Sequence, residues 1–228
     1  MTGLGKCCPG KYAFGYRLFP SMKLMILFIG IWATSSCGQQ TSHIDNKWLP
    51  HKTGGTVIVL QPLSYQGKFL TGLKDSIPKY YPVTVNIAAP VNLPGNAFYA
   101  PRNRYKADTI LNFIQQIKPA GTRLIVGITG KDISTRKGNN ADYGIMGFGF
   151  QPGYACVVSI FRLQGDNPTE KLLFQRLLKT VLHEMGHNFG LAHCPNKHCI
   201  MADAKGELNQ DNETGLCDVC QKKLNLQP

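Results

Sequence analysis

Three things are missing from this sequence, and each absence narrows what the chain can be. No apolar stretch is long enough to cross a membrane as a helix. The longest, Leu24 to Ala33, has ten residues, whereas spanning ~30 Å of hydrocarbon takes about 20. There is no run of lysines or arginines and no recognisable nucleic-acid module, so nucleic-acid binding is not expected although the formal net charge is +12. Acidic residues are few, 13 against 25 basic ones, and residues 1–37 hold four of the basic residues and none of the acidic, which leaves +8 beyond them. That charge reads as solubility and attraction to anionic surfaces. What is present is ordinary for a globular chain: 228 residues with 43% hydrophobic content, enough for one cored domain with at most a small appended subdomain. A monomer is expected.

The beginning of the chain reads as an address. Met22-Lys23 opens the short apolar run, and Thr34-Ser35-Ser36-Cys37-Gly38 closes it. A basic start, a short apolar core and small residues before a break form a secretory signal. The cysteine at the break resembles a bacterial lipoprotein box, which implies Cys37 as the acylated first residue of a mature, membrane-anchored protein of the cell envelope. Thr34, three before the cysteine, is looser than the usual Leu. A plain signal peptide and a buried segment with an incidental Cys37 are the alternatives. On this reading 1–37 is signal, with Met22 as a second candidate start. Residues 38–54 are a polar linker whose His43 and His51 are not ligands.

Beyond Gly54-Gly55, strands and helices alternate. Thr56 to Leu60, Val83 to Ile87, Leu124 to Ile128 and Ala155 to Phe161 are compact β-branched runs that read as strands. Ser64 to Ile77 and Asp108 to Ile117 carry apolar residues at helical spacing, and Pro78 and Pro119 end them. Pro90 to Pro101 and Lys131 to Asn140 read as loops. Tyr143 to Phe150 alternates glycine with bulky residues, so another backbone can come close. Cys156 reads as a buried free thiol. Asn167-Pro168-x-Glu170 starts a long helix, with Asn167 as cap and Glu170 three residues on. Leu173, Leu177, Val181 and Met185, flanked by Leu178 and Leu182, form its buried stripe. The pattern predicts an α/β (α+β) domain with right-handed crossovers and a mainly parallel sheet.

The chemistry lies at the end of that helix, in His183-Glu184-Met185-Gly186-His187-Asn188-Phe189-Gly190-Leu191-Ala192-His193. His183 and His187 are four apart, hence about 40° apart around a helix and about 6 Å along it. Both can reach one Zn²⁺. Gly190 stops the helix by taking left-handed dihedrals, and the chain can double back to bring His193 in as third ligand. Three nitrogens leave a fourth position open, the pattern of a catalytic rather than a structural zinc. Glu184 is placed as general base for a water that the metal activates. An amphipathic helix with surface histidines is the bland alternative, and the added Gly190, His193 and a downstream Met make it improbable.

The motif H-E-x-x-H-x-x-G-x-x-H with a later methionine resembles the metzincin clan of zinc peptidases. Cys194-x4-Cys199-x-Met201 followed by Cys217-x-x-Cys220 is similar to the archaemetzincins, over roughly residues 55–220. The resemblance implies a mixed sheet with one antiparallel edge strand and a long active-site helix within 55–192. It further implies a small C-terminal subdomain, 193–228. Met201 would be the Met-turn residue under the metal, and Cys194, Cys199, Cys217 and Cys220 a second, structural zinc site. Residues 143–150 would be the edge strand that binds extended peptide, with a glycine-rich hairpin arm that has no partner as the alternative. The substrate would be a peptide or protein, with an aminopeptidase-like preference raised. One departure is the loop from Met201 to Cys217, slightly shorter than the family's.

For the four cysteines, the residues alone leave two options open. A thiolate set with a C-x-x-C half suits zinc, while export favours disulfides; His198 beside Cys199 reads as a solvated loop residue. For the whole chain, zinc-dependent peptide hydrolysis stands against two alternatives. One is a non-catalytic surface lipoprotein that binds peptide with zinc as a brace; the other is hydrolysis of a non-peptide amide or ester.

Overall fold

The structure is a computed structural model that describes residues 44–50 and 55–226. The stretch expected to be a signal, with Cys37, and His43 and His51 lie outside the described residues. In chain order the elements are β1 (Thr56–Pro62), α1 (Phe69–Ser76), β2 (Val83–Ile87), β3 (Phe98–Tyr99), β4 (Arg104–Lys106), α2 (Ala107–Gln116) and β5 (Leu124–Thr129). There follow β6 (Ile133–Lys137), β7 (Asn140–Ile145), β8 (Gly147–Gly149), β9 (Ala155–Ser159), α3 (Glu170–Asn188) and α4 (Asp218–Lys223).

The main sheet has the order β2-β1-β5-β9-β8. Its first three pairings are parallel, and β8 runs antiparallel to β9, with Gly147 opposite Val158 and Gly149 opposite Cys156. The expected mixed, mainly parallel sheet with one antiparallel edge is therefore present. Strands β5 and β9 are buried along their whole length, because apolar cores cover both faces and β-branched residues can fill either. Leu124, Val126, Ile128, Cys156 and Val158 join the core that contains the buried face of α3. Ile125 and Val157 point the other way, into the core around Ile110, Leu111 and Ile114 of α2.

A second sheet, β3-β4-β6-β7, is not legible from the apolar pattern. Residues 131–140, expected to be a loop, instead contain β6 and the two-residue turn to β7, with Gly138 at φ +57°. Charge pairing across strands stabilises this mostly polar hairpin alongside the burial of Ile133 and the packing of Ile145 on the second core. Asp132 accepts from Arg162 at 2.8 Å and pairs with Arg104 at 3.1 Å; Asp142 pairs with Arg104 at 3.1 Å and Lys106 at 2.7 Å. The stretch 143–150 is split, because its first part belongs to β7 and its second to β8, with Met146 between them. The loop expected over 90–101 likewise contains β3.

Helix α3 starts two residues later than expected. Thr169 is its cap, with Oγ1 accepting from the Leu172 amide at 3.3 Å. Asn167 instead sits at φ +49° in the preceding turn, a conformation Asn tolerates better than most residues. In the middle of α3, Arg176 is 2% exposed and donates to Asp166, Asp211 and the Leu163 carbonyl. It ties the segments before and after the helix to its flank. Residues 44–50, expected to belong to a free linker, pack on the domain. Leu49 is buried, the Trp48 ring lies 5.1 Å from that of Tyr154, and Arg123 donates to the Trp48 carbonyl at 3.1 Å. Their apolar side chains find cover there that a tether would forgo.

Candidate metal centre and cleft

Helix α3 ends in a Schellman turn. The Leu191 amide reaches the Gly186 carbonyl at 2.9 Å and the Gly190 amide reaches that of His187 at 2.8 Å, with Gly190 at φ +97°. This pair of bonds is what a left-handed residue just past a helix end makes possible. The turn sends the chain back so that His183, His187 and His193 can offer ligand atoms all within 4.8 Å of one another. His187 is buried, His183 half-buried and His193 exposed.

Two of the rings are fixed by the backbone. Nδ1 of His183 lies 2.6 Å from the Ile200 carbonyl and Nδ1 of His187 lies 2.8 Å from that of Leu191. A carbonyl only accepts, so each Nδ1 carries the proton and each Nε2 presents a lone pair. Those two Nε2 atoms face each other at 3.0 Å. Two acceptors at that distance repel unless a cation lies between them, and Zn–N bonds of about 2.0–2.1 Å suit the spacing. Burial, then His187, holds His183 down at about 4, and burial also lowers His187, so both rings stay neutral, as ligands must be.

Glu184 points into the same cleft, which has a volume of about 690 Å³. It is 7% exposed, and burial pushes its carboxyl up to about 8. The edge strand makes room for it. A Cβ on Gly147 would lie 2.5 Å from Glu184 Oε1, and one on Gly149 would lie 3.3 Å from Oε2. The space left by these two glycines, expected to admit another backbone, is taken within the chain by side chains, Glu184 foremost. Met201, fully buried, lies under the helix between the first two histidines, where a Cβ on Gly186 would be 2.3 Å from its sulfur. Tyr81 supports the same turn by donating to the Leu182 carbonyl at 2.8 Å.

The four C-terminal cysteines also converge, with sulfurs within 4.8 Å of one another. Cys194 to Cys217 and Cys199 to Cys220 are each 3.7 Å apart. A tetrahedron with Zn–S of about 2.3 Å has edges of about 3.8 Å, so this spacing fits one ion. Burial, then the sulfurs of Cys199 and Cys194, drives the Cys220 thiol far above its usual range. Four thiolates can share this volume only around a cation. The amides of Met201 and Cys217 point at Cys199 Sγ, each at 3.4 Å. The Cys194 amide bonds the Met201 carbonyl at 2.7 Å. The cluster thus pins the segment after His193 to the segment that carries Met201. His198 is exposed and bonds the Asn212 carbonyl, outside the cluster; Cys156 is buried and unpaired.

Several residues of the cleft carry no signal in the sequence. Thr180, one helical turn before Glu184, lines it together with Gln210 and Glu213 from the segment following Met201. Neither of the last two belongs to a motif; only the fold brings them to α3.

The sequence profile of peptidase family M54 matches residues 74–226. The archaemetzincin of Archaeoglobus fulgidus is 31% identical over 168 residues, covering 73% of this chain and 98% of that protein. That of Haloarcula marismortui is 28% identical over 158 residues, covering 66% and 88%. Among solved structures, the Archaeoglobus fulgidus archaemetzincin superposes with a TM-score of 0.63 at 28% identity, covering 74% of this chain and 99% of that one. The archaemetzincin of Methanopyrus kandleri gives 0.66 at 25% identity, covering 77% and 96%. With its histidines gathered as such a site requires, this chain belongs to peptidase family M54, the archaemetzincin family of zinc metallopeptidases.

Proposed function

We propose that the chain hydrolyses peptide bonds in the cleft beside α3, with His183, His187 and His193 holding a catalytic zinc and Glu184 acting as general base. The observation that carries this reading is the pair of Nε2 lone pairs facing each other at 3.0 Å, their tautomers set by the Ile200 and Leu191 carbonyls. Zinc supplies Lewis-acid polarisation of the scissile carbonyl and makes water a nucleophile near neutral pH. Glu184 takes the proton of the attacking water and delivers it to the leaving amine. No hydrogen bond from a described residue engages its carboxylate, and its burial keeps bulk water from competing. Met201 and the Schellman turn hold the two helical histidines from below, so their geometry does not depend on substrate. β8, the end strand of the main sheet, offers an extended peptide a free edge. A surface protein that only binds peptide has no need of a buried carboxylate at position 184.

The same reading includes a second, structural zinc on Cys194, Cys199, Cys217 and Cys220. It also includes export of the protein with a lipid anchor on Cys37, supported by the short apolar run and the small residues before that cysteine.

Glu184→Gln keeps the side chain's shape and removes the base. Its zinc content should equal that of the wild type while kcat/KM on a peptide mixture falls by about 10²–10⁴-fold. Retention of wild-type turnover in this variant refutes the role of Glu184. Hydrolysis that persists after complete removal of metal by a chelator refutes the peptidase mechanism as a whole.

A further inference from the structure

Among the residues that line the cleft are two buried hydrogen-bond acceptors to which no described residue donates. Glu213 is 5% exposed and Gln210 5% exposed, and Glu213 Oε2 and Gln210 Oε1 have no hydrogen-bond partner among the described residues. Among the described residues no ion pair reaches the Glu213 carboxylate. Buried acceptors are rarely left so, because each has given up water without replacement.

The orientation of the Gln210 amide is fixed. The Thr180 hydroxyl donates its one proton to the Arg176 carbonyl at 2.8 Å, so towards Gln210, 3.4 Å away, it can only accept. The Gln210 nitrogen is therefore the atom on that side, with Met146 Sδ 3.6 Å from it, and the carbonyl oxygen is the free one. Both orphan groups thus call for a donor. Lys179 lines the same cleft and gives two of its three ammonium protons to the Gln210 and Glu213 backbone carbonyls, at 2.6 Å each, and among the described residues it makes no hydrogen bond to either side-chain oxygen. Burial raises the Glu213 carboxyl to about 7, with Lys179 pulling it down and Asp211 pushing it up, so it is about half ionised at neutral pH and an arriving cation would favour the ionised form.

We propose that Glu213 and Gln210 form the floor of a subsite that takes a cationic amine or guanidinium from the substrate. A donor-bearing cation satisfies both acceptors at once, while an apolar or acidic group satisfies neither. A site built to hydrogen-bond its ligand discriminates strongly against an analogue that lacks the donor. This inference rests on the peptidase reading for the identity of the ligand, but not for the existence of the subsite. The cation can come from a lysine or arginine side chain or from the amino terminus of the peptide.

The test compares zinc-loaded wild type with Glu213→Gln on matched peptides that carry lysine, arginine or norleucine at each position near the cleaved bond, with free and acetylated amino termini. The wild type should favour the cationic member by about tenfold or more in kcat/KM, and Glu213→Gln should shrink that preference to about twofold or less. A preference that follows an internal lysine or arginine assigns the subsite to a side chain. One that vanishes on acetylation assigns it to the amino terminus. Equal cleavage of lysine and norleucine peptides together with indifference to acetylation, or a preference that Glu213→Gln leaves intact, overturns the proposal. Calorimetric binding of butylguanidine to the zinc-loaded protein provides a second readout. Binding by the wild type that is lost in Glu213→Gln supports the subsite even if no peptide is cleaved, in which case only the peptidase reading has failed. No binding by a folded wild type counts against the subsite. Gln210→Met, which keeps the side chain's length, repeats the comparison should Glu213→Gln fail to fold.

Discussion

Gly147 sits opposite Val158 in the sheet, with its α-carbon facing the Glu184 carboxylate. A methyl group there would come within 2.5 Å of Oε1, closer than real Cβ contacts allow. Glu184 cannot retreat cheaply, since it is 7% exposed and belongs to a helix turn fixed by both ligand histidines. Gly147→Ala should therefore push the carboxylate off the position from which it reaches a proton. Steady-state kinetics should show kcat/KM reduced by about 10–100-fold, short of the full loss of a general base, with zinc content unchanged. Gly95→Ala is the matched control, because nothing lies within 4 Å of the Cβ it would add; its kinetics should stay at wild-type level. If Gly147→Ala keeps full activity, Glu184 has more freedom than this packing allows.

Helix α3 was legible because the chemistry proposed for it fixes its spacing: histidines four apart, a glutamate beside the first, and a glycine where the helix stops. Its start was misread because Asn167 and Thr169 both look like caps, and the choice depends on the turn before them, where Asn167 takes a positive φ. Arg176 was invisible for a different reason. Its partners Asp166 and Asp211 are 10 and 35 residues away, and no local pattern records such pairings. The same holds for β6, whose buried Ser134 and Thr135 donate to the distant Asp142 and Asp108, and for Glu213, which reaches the cleft only through the return of the chain after Met201. At this scale the cysteine cluster is the element that locks the return, since Cys217 is the residue before α4 and Cys220 lies within it. Cys217→Ser should reduce bound zinc from two ions per chain to one. The loss of several kcal/mol of cross-linking should lower Tm by roughly 10 °C or more, at about 2–4 °C per kcal/mol for a chain of this size. Metal analysis and calorimetry check both numbers. One zinc per wild-type chain, with an intact mass showing the four sulfurs oxidised to two disulfides, would assign the cluster to the other cross-link.

For the molecule as a whole, the cleft says nothing about where the protein works; the proposed export and anchoring rest on the first 37 residues of the sequence. Among the described residues no helix is long and apolar enough to cross a membrane; the attachment proposed is a lipid. The sequence supplies a single candidate, Cys37 after Thr34-Ser35-Ser36. One acyl chain gives only reversible binding, at ~0.8 kcal/mol per buried CH₂, and stable anchoring needs a second chain or a basic surface. The excess of +8 beyond residue 37 supplies positive charge that would favour an anionic leaflet. Expressed in a bacterium with an intact export pathway, the wild type should incorporate labelled palmitate, begin at Cys37 by mass spectrometry and partition with membranes. Cys37→Ser should lose the label and leave the membrane fraction while its zinc-dependent peptidase activity stays unchanged, because the anchor and the cleft share no residue. A mature chain that begins elsewhere and carries no lipid would mean that the run before Cys37 is a plain signal or no signal at all, with the catalytic centre unaffected.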